Sequence, residues 1–404
     1  MCNTDMKFAT DFSRLALEFF GFWPDTEYSQ ASKHLKLKCI ITILFLLGFL
    51  YLPQSALLLM NIGDLNLVIQ ILATGKIIIS CAIIKIIILH IKREDLRRLL
   101  KSMNEDLVDY ANEEIREIML KNAIFVRKMC ISYSVTICIT MLLYIVVKIF
   151  FYFAKISDND TYPGLDLFVP SYLPNYLFNS PSFELIYAGQ IVAIMIAISA
   201  YSRSDSLLVM LIMHVSTQFT ILRSSLKNLP VKVGTTSSTF MCELGVIVRR
   251  HEHLNRFASK IDNIFNMILL LQIVLCSVLL CFQSFHFLVK LKDKNAELSI
   301  IELVFLCFYI CPVLIQLYIY CYFGEMLQSQ NEETRRTAYE CLWYILDLRD
   351  ARTMIIIMAR TVRPVQLTAG KFSPVVMSTF TAILKTSMSY LSVLLATIND
   401  PKDN

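Results

Sequence analysis

Long uncharged apolar runs constrain the fold of this chain more than any other feature. Residues 39–60 contain no charged side chain, and only Gly48 and Pro53 interrupt their helical pattern. An α-helix rises about 1.5 Å per residue, so about 20 apolar residues cross the hydrocarbon core of a bilayer. Residues 39–60 therefore predict a membrane-spanning helix.

Similar segments recur along the chain. Seven spans are predicted, at about 39–60, 65–91, 129–154, 183–201, 261–289, 302–323 and 372–398. The 404 residues are 56% hydrophobic and only 18% charged, with a mean hydropathy of +0.56. This composition is typical of a membrane protein with several spans and argues against a set of soluble domains. The predicted fold class is an all-α membrane protein with seven transmembrane helices.

Lysine and arginine residues are unevenly distributed between the connecting segments. Of the 38 in the chain, 29 lie in segments 1–38, 92–128, 202–260 and 324–371, whereas the alternating connections and the C-terminal end carry five. Positively charged loops stay in the cytoplasm. The N-terminus is therefore predicted to be cytoplasmic and the C-terminus extracellular, which is opposite to the topology of a G-protein-coupled receptor.

Several function classes lack sequence support. We find no catalytic constellation, phosphate-binding loop, metal-ligand spacing or inverted repeat, so neither an enzyme nor a transporter is predicted, and no cofactor or metal is implied. The net charge of +5 is spread over the cytoplasmic segments and does not indicate a nucleic-acid partner. One glycosylation sequon begins at Asn159, in a predicted extracellular loop.

Four lysines lie inside predicted spans, where a charge is costly and marks a functional position by default. Lys85 and Lys148 lie near the ends of their spans, so we expect both ammonium groups to extend toward the membrane surface. Lys76 and Lys385 lie nearer mid-depth, with no acidic residue at a comparable depth. A lysine without a carboxylate needs water or backbone carbonyl oxygens, which favours a hydrated cavity among the helices.

The last predicted span has a polar face and an apolar face. The polar face contains Ser378, Thr381, Lys385, Ser389, Ser392 and Ala396, and the apolar face contains Phe380, Ile383, Leu384, Leu391 and Leu394. Two interpretations are open. The polar face contacts water, or its small side chains bond to their own helix and pack between helices.

Local motifs in the C-terminal third resemble those of the insect odorant receptors. They are Cys321-Tyr322-Phe323-Gly324-Glu325, Ala338-Tyr339, Trp343-Tyr344, Arg363-Pro364, Leu367-Thr368-Ala369-Gly370-Lys371-Phe372 and Lys385-Thr386-Ser387-Met388-Ser389-Tyr390. Upstream matches include Tyr51-Leu52-Pro53 and Asp205-Ser206, so the resemblance covers nearly the whole chain. The chain is most similar to the variable odorant-specific subunits, since it lacks the long second cytoplasmic loop of the shared co-receptor.

The resemblance implies a ligand-gated, poorly selective cation channel acting in olfaction. Its expected partners are the odorant co-receptor subunit, in a heterotetramer, a small volatile or hydrocarbon-like odorant, and the lipid bilayer. Its expected location is the plasma membrane of a sensory neuron dendrite. The alternative is a gustatory receptor of the same fold, although such receptors usually end helix seven with Thr-Tyr and a later Gln-Phe.

The resemblance also assigns regions and residues. Residues 1–38 are expected to be cytoplasmic or interfacial, 39–323 to form helices one to six with the odorant pocket in their outer half, 324–371 to form cytoplasmic anchor helices, and 372–398 to line the pore. The expected ligand-binding residues are Ala73, Tyr144, Lys148, Tyr187, Gln190, Ile191, Phe308 and Tyr309. Tyr339, Trp343 and Tyr344 are expected in the subunit anchor, and Ser389, Val393 and Thr397 along the pore, with Val393 at the hydrophobic gate.

Overall fold

The computed structural model describes residues 31–399, apart from 64, 109–112, 156–166, 175–176, 178, 180, 234–236, 293–299 and 363–364. The segment 1–30 and the predicted glycosylation site at Asn159 lie outside the described residues. Almost all of the described chain is helical. The helices are α1 (Ala31–Leu46), α2 (Leu52–Met60), α3 (Leu65–Ile71), α4 (Ile77–Ile91), α5 (Arg93–Val108), α6 (Glu113–Lys155), α7 (Ser182–Val233), α8 (Ser237–Lys292), α9 (Ile300–Glu340), α10 (Leu348–Thr361) and α11 (Met377–Asn399).

Four helices are much longer than a membrane is thick. Helices α6, α7, α8 and α9 have 43, 52, 56 and 41 residues. At 1.5 Å per residue α7 is about 80 Å long, more than twice the hydrocarbon thickness. Each helix extends well beyond its predicted span, as the charged, helical pattern of the flanking segments indicated. The described residues include five helices that are long and apolar enough to span a membrane, besides the shorter apolar helix Ile77–Ile91.

The first two predicted spans each contain a π-helical turn. Leu47–Tyr51 joins α1 to α2, and Leu72–Lys76 joins α3 to α4. The second turn includes Gly75, whose φ of 173° and ψ of −27° depart from helical geometry. A π-helical turn inserts one extra residue into an α-helix and so disturbs its regular backbone hydrogen bonding. Such turns are frequent at functional sites.

The best-packed part of the molecule lies in α7, α8 and α9. Nearly every residue of 204–222 is buried, as are most of 254–269. The first stretch and residues 254–260 belong to the portion that the charge distribution predicts to be cytoplasmic, and residues 261–269 begin the fifth predicted span. The spans themselves expose more apolar side chains, because the helix faces that would contact lipid have no protein neighbour.

A short β-hairpin precedes the last helix. Strands β1 (Thr368–Ala369) and β2 (Ser373–Pro374) pair antiparallel, with Ala369 opposite Ser373. The last helix therefore begins at Met377, five residues after the predicted start at 372. Pattern alone placed this boundary too early, because the hairpin residues are themselves largely uncharged.

Candidate ligand pocket and terminal helix

The connection between α6 and α7 returns into the helix bundle instead of remaining at the surface. Within it Leu167, Phe168 and Ser171 are fully buried. The backbone N–H of Tyr172 donates to the carbonyl oxygen of Pro53 in α2 at 3.0 Å, which attaches the segment to the first helix pair, α1 and α2. Residues 167–174 thus form a buried loop, which is unusual for a connection rich in proline.

Two predicted ligand-binding residues surround the ring of Phe168. The Tyr144 and Tyr187 rings meet it edge to face, with centroid separations of 5.2 and 5.7 Å. The Tyr144 hydroxyl also donates to the Phe168 carbonyl oxygen at 3.1 Å. Edge-to-face pairs are a favoured aromatic geometry. The three rings form a rigid aromatic wall from α6, the buried loop and α7.

Gln190 holds the buried loop in place. Its side-chain oxygen accepts from the Val169 N–H at 3.3 Å, and its amide nitrogen donates to the Ser171 hydroxyl at 3.1 Å. The Ser171 hydroxyl in turn donates to the Val169 carbonyl oxygen at 2.8 Å. The Gln190 side chain is fully buried and bonded to the loop, so it positions the wall of the pocket. The next residue, Ile191, is partly buried and packs against the core.

Of the remaining predicted ligand-binding residues, the structure describes the side chain of Lys148 and not those of the other three. Lys148 is partly exposed, with Nζ 5.9 Å from the centroid of the Tyr144 ring, a distance at which a cation is attracted to an aromatic face. The side chains of Ala73, Phe308 and Tyr309 lie outside the described part of the structure. Five of the eight predicted residues can therefore be located, and three of them, Tyr144, Tyr187 and Gln190, contact the buried loop.

The expectation that Lys85 extends to the membrane surface is wrong. Its side chain is only 1% exposed, and its Nζ lies 2.6 Å from Oδ1 of Asp205 and 3.6 Å from the centroid of the Tyr201 ring. The sequence pattern ended span four at Tyr201 and placed Asp205 outside the membrane. Because α7 continues without a break, Asp205 instead points into the bundle and neutralises the lysine.

A hydrogen-bonded network extends from the Asp205 carboxylate across three helices. Oδ2 accepts from Gln316 Nε2 at 2.6 Å, and Oδ1 accepts from the Tyr320 hydroxyl. The side-chain oxygen of Gln316 accepts from the Tyr201 hydroxyl at 2.6 Å and from Gln272 Nε2 at 3.2 Å. A buried charge is tolerated when it is paired and bonded in this way. The network therefore connects α7, α8 and α9, and Lys85 adds α4.

The terminal helix α11 packs through one narrow stripe. Ile383, Ser387 and Leu391, which are four residues apart, are buried, and the Ser387 hydroxyl lies 3.5 Å from that of Ser277 on α8. The residues of the predicted polar face from Ser378 to Ser392 are exposed. The predicted division into two faces is therefore confirmed from Ser378 to Ser392, and Ser387, which was assigned to neither face, lies on the packed side.

Two of the proposed pore residues lie outside that stripe. Ser389 is exposed and the Val393 side chain is 60% exposed, whereas the side chain of Thr397 is outside the described residues. Lys385 is exposed on the same side of the helix. In this single chain, the whole polar side of α11 is open.

The hairpin fastens the base of α11 to α8. Oδ1 of Asp262 accepts from the Thr368 N–H at 2.7 Å and from the Thr368 hydroxyl at 2.8 Å, and Oδ2 accepts from Lys371. The N–H of Gly370 donates to the Asn266 carbonyl oxygen at 2.9 Å. Gly370 has a φ of +60°, which glycine adopts without strain. These bonds explain the Thr-Ala-Gly-Lys motif as an attachment of the hairpin.

The Gly324-Glu325 pair of α9 fixes the other side of the same junction. A Cβ on residue 324 would lie 2.0 Å from the carbonyl oxygen of Val375, so no larger residue fits without movement. The Glu325 carboxylate accepts from the N–H of Met377 at 2.8 Å, at the N-terminus of α11. A carboxylate is favourable there because the first N–H groups of a helix lack partners.

Of the predicted anchor aromatics, Tyr339 lies in the last turn of α9, and Trp343 and Tyr344 lie in the connection between α9 and α10. Tyr339 and Tyr344 are 67% and 68% exposed. Trp343 is half-buried, donates its indole N–H to the Tyr339 carbonyl oxygen at 3.1 Å and packs against the core. Exposed apolar side chains continue along the neighbouring segment at Ile345, Leu348, Ile355, Ile356 and Val362. Several exposed large apolar side chains within one short segment are typical of a protein contact site.

A second polar cluster joins α5 to α7 and α8. Asp106 receives hydrogen bonds from Arg250 at 2.7 Å and lies 3.3 Å from Nε2 of His214. Burial raises the pKa of the Asp106 carboxyl, but the His214 hydrogen bond and the charge and hydrogen bond of Arg250 together hold this pKa below its usual value. A cavity of about 170 Å³ beside the cluster is lined by Leu99, Ser102, His253, Arg256, Phe257 and Lys260. It lies apart from the predicted ligand-binding residues.

Long apolar helices, a buried aromatic loop and an open polar face on the last helix define a polytopic membrane receptor. The model of the 7tm Odorant receptor family matches residues 64–388, and the chain belongs to this insect odorant receptor family. Odorant receptor 13a of Drosophila melanogaster is 26% identical over 94% of this chain and 93% of its own length. Odorant receptor Or1 of Anopheles gambiae is 20% identical over the same shares.

The chain is also similar to solved structures. The insect olfactory receptor OR5 from Machilis hrabei, solved in complex with eugenol, superposes with a TM-score of 0.78 at 16% sequence identity and covers 98% of this chain and 99% of its own. A second structure of the same receptor gives a TM-score of 0.74. The predicted seven-transmembrane, all-helical fold is thereby confirmed.

Sequence reasoning missed three groups that organise these sites. Asp205, Asp262 and Gln316 are each buried; Asp205 and Gln316 bond each other across α7 and α9, and Asp262 bonds the hairpin. Asp205 was noticed only as a family match, although an acid so close to a predicted span and a lysine inside a neighbouring span form a natural pair. Asp262 lies at the predicted start of span five, and a carboxylate there could have been matched to the lysine of the hairpin.

Proposed function

We propose that this odorant receptor is the odorant-binding subunit of a heteromeric, odorant-gated, non-selective cation channel. The observation that carries this proposal is the open polar side of α11. The Thr381 and Ser392 hydroxyls on this side donate to carbonyl oxygens of their own helix, but the exposed Lys385 ammonium needs water or polar neighbours in a membrane, since lipid does not compensate its charge. An assembly in which several copies of this helix surround an aqueous path would supply that water.

The pocket that we propose for the odorant contains the aromatic wall of Tyr144, Phe168 and Tyr187. Apolar walls with a few fixed polar groups suit small organic ligands. The Machilis hrabei receptor of the same fold binds eugenol, and we extend ligand binding of this kind to the present chain. The buried loop links this pocket to the first helix pair, so a ligand pressing on Phe168 would act on several helices together.

The gate that we propose lies on α11 at Val393. A ring of valines from neighbouring subunits would block ions by excluding water, and rotation or separation of the helices would wet it. The hairpin and Glu325 hold the base of α11, so we expect its upper part to move more than its base. Ser389 would lie deeper in the path and Thr397 one turn outward.

Subunit contacts are proposed at the exposed apolar surface around Tyr339, Trp343 and Tyr344. We take the co-receptor as the main partner, in a heterotetramer placed in the plasma membrane of sensory dendrites with its N-terminus in the cytoplasm. The family assignment favours this olfactory role over the gustatory alternative. On this topology, Asn159 is extracellular and open to glycosylation.

Current recording tests the proposal. Cells that express this chain together with the co-receptor should give odorant-evoked cation currents, and cells that express this chain without it should give none. Blocking G-protein turnover should leave the current unchanged. A current that requires G-protein turnover, or an odorant response that persists without any ion conduction by the complex, would contradict the proposal.

A further inference from the structure

A buried glutamine in the first helix pair has no hydrogen-bond partner. Gln54 of α2 is fully buried, and neither its amide nitrogen nor its amide oxygen is bonded to any of the described residues. Buried polar groups are almost always paired, because an unpaired amide loses its bonds to water without replacement. An amide in this position therefore indicates a missing partner.

The nearby Lys76 lacks a counter-charge. Its side chain is 8% exposed, and Nζ donates to the Tyr51 carbonyl oxygen at 2.8 Å and to the Ser55 hydroxyl. The same Nζ lies 3.3 Å from the centroid of the Tyr51 ring. Among the described residues, none forms an ion pair with it. A carbonyl, a hydroxyl and a ring face reduce the cost of burying an ammonium group, but its charge is still uncompensated.

Both groups lie where the two helices with π-helical turns cross. Ser55, which bonds Lys76, directly follows Gln54 in α2, and Gly75 directly precedes Lys76. A Cβ on Gly75 would be 3.9 Å from Nε2 of Gln54. Gly75 therefore lies beside the Gln54 amide, and Lys76 follows it directly in the chain.

The unused hydrogen-bonding groups at this crossing are three N–H donors and one acceptor, the amide oxygen of Gln54. An ammonium group has three N–H bonds and Lys76 uses two, while the Gln54 amide offers two more. Three donors and one uncompensated positive charge match a group with two acceptor oxygens and one negative charge. A carboxylate has this composition.

We propose that Gln54 and Lys76 form a polar subsite that binds the carboxylate of an acidic odorant. This proposal rests on the proposed odorant-binding function and names the ligand class. The subsite lies close to the buried loop that carries Phe168, because Pro53, next to Gln54 in the chain, accepts the hydrogen bond from Tyr172 of that loop. The hydrocarbon chain of the acid would extend toward Phe168 while its carboxylate pairs with Lys76.

Three ligands of equal chain length test the proposal on the complex of this chain with the co-receptor. Hexanoic acid should evoke current at a concentration at least about tenfold lower than hexanal or 1-hexanol, because only the acid offers a charge-assisted pair. Equal sensitivity to the three compounds would overturn the proposal and would leave water as the partner of Gln54.

Two variants separate the subsite from a purely structural role. Gln54→Glu places a carboxylate beside Lys76 in almost the same volume, so the folded chain should be at least as stable while its sensitivity to hexanoic acid falls about tenfold or more. Lys76→Met should also reduce the acid response and spare that to 1-hexanol. Lys121→Met, which removes an exposed lysine far from the subsite, is the control and should change neither.

A binding measurement distinguishes failure of this inference from failure of the channel proposal. The purified chain in neutral phosphatidylcholine nanodiscs should be stabilised against heat by hexanoic acid more than by 1-hexanol, and Gln54→Glu should remove the difference. If this stabilisation is observed but no current is evoked, the carboxylate subsite is supported and the proposed channel function is contradicted. Equal stabilisation by both compounds, or a difference that survives in Gln54→Glu, would contradict the subsite.

Discussion

Breaking the buried ion pair between Lys85 and Asp205 should destabilise the chain strongly. Substituting Asp205 should lower the stability more than substituting Lys85. In Asp205→Asn the ammonium of Lys85 loses its carboxylate partner and keeps the Tyr320 hydroxyl at 3.2 Å and the face of Tyr201. An uncompensated buried charge costs about 3–5 kcal/mol. At about 2 °C per kcal/mol for a large chain, the melting temperature should fall by roughly 6–10 °C.

Lys85→Met should have a smaller effect. The Asp205 carboxylate would keep two donors, Gln316 Nε2 at 2.6 Å and the Tyr320 hydroxyl. Those hydrogen bonds hold part of the charge, so we expect about half of the loss seen in Asp205→Asn. The double variant Lys85→Met/Asp205→Asn has no buried charge to compensate. It should be more stable than Asp205→Asn alone, since the two effects belong to one pair and are not additive.

Thermal unfolding of the detergent-solubilised chain, followed by size-exclusion chromatography after heating, measures these shifts. Lys121→Met is the surface control, because an exposed ion pair at 3.5 Å contributes less than about 1 kcal/mol. The reasoning is refuted if Asp205→Asn melts within about 2 °C of the unchanged chain, or if the double variant loses the sum of the two single losses.

Three further predictions concern other parts of the chain. Val393→Ala should raise basal current or alter ion selectivity of the complex, and unchanged gating and selectivity in patch recordings would count against the gate. Phe168→Ala should remove the partner of both tyrosine rings and cost about 3–5 kcal/mol in thermal stability, with a loss of odorant sensitivity in dose–response curves; normal sensitivity would exclude the loop from the pocket. Asp106→Asn should lower stability by about 1–3 kcal/mol at pH 7. Because the pKa of Asp106 is depressed, the stability difference between the two chains should have its full size above about pH 4 and shrink as the pH falls below that value. A difference in unfolding free energy that stays constant with pH would contradict the role of the Asp106 carboxylate.

Much of the fold followed from elementary rules. Apolar length located the spans, and the division of α11 into a polar and an apolar face followed from a period of 3.6 residues. Boundaries were less predictable where a polar stretch continues a helix, as after Tyr201, because hydropathy marks the membrane and not the end of the helix. The five residues before α11 show the reverse case, since an apolar pattern cannot distinguish a short hairpin from the first turn of a span.

The candidate site was predictable only in part. Family resemblance led to Tyr144, Tyr187 and Gln190, and the structure brings all three to the buried loop. Phe168, the residue that they surround, was not predicted, because a proline-rich connection is expected at the surface. The partners of buried charges were missed, although a lysine and an acid near neighbouring spans suggest a pair, because hydropathy placed Asp205 beyond the end of its span.

Ion flux through a purified complex tests the central claim most directly. The chain and the co-receptor would be reconstituted together in liposomes without G protein or nucleotide, and cation flux would be followed after addition of an odorant that is active in cells. The account predicts odorant-dependent flux that requires both chains. Absence of flux from a complex that binds the odorant in the same liposomes would contradict it.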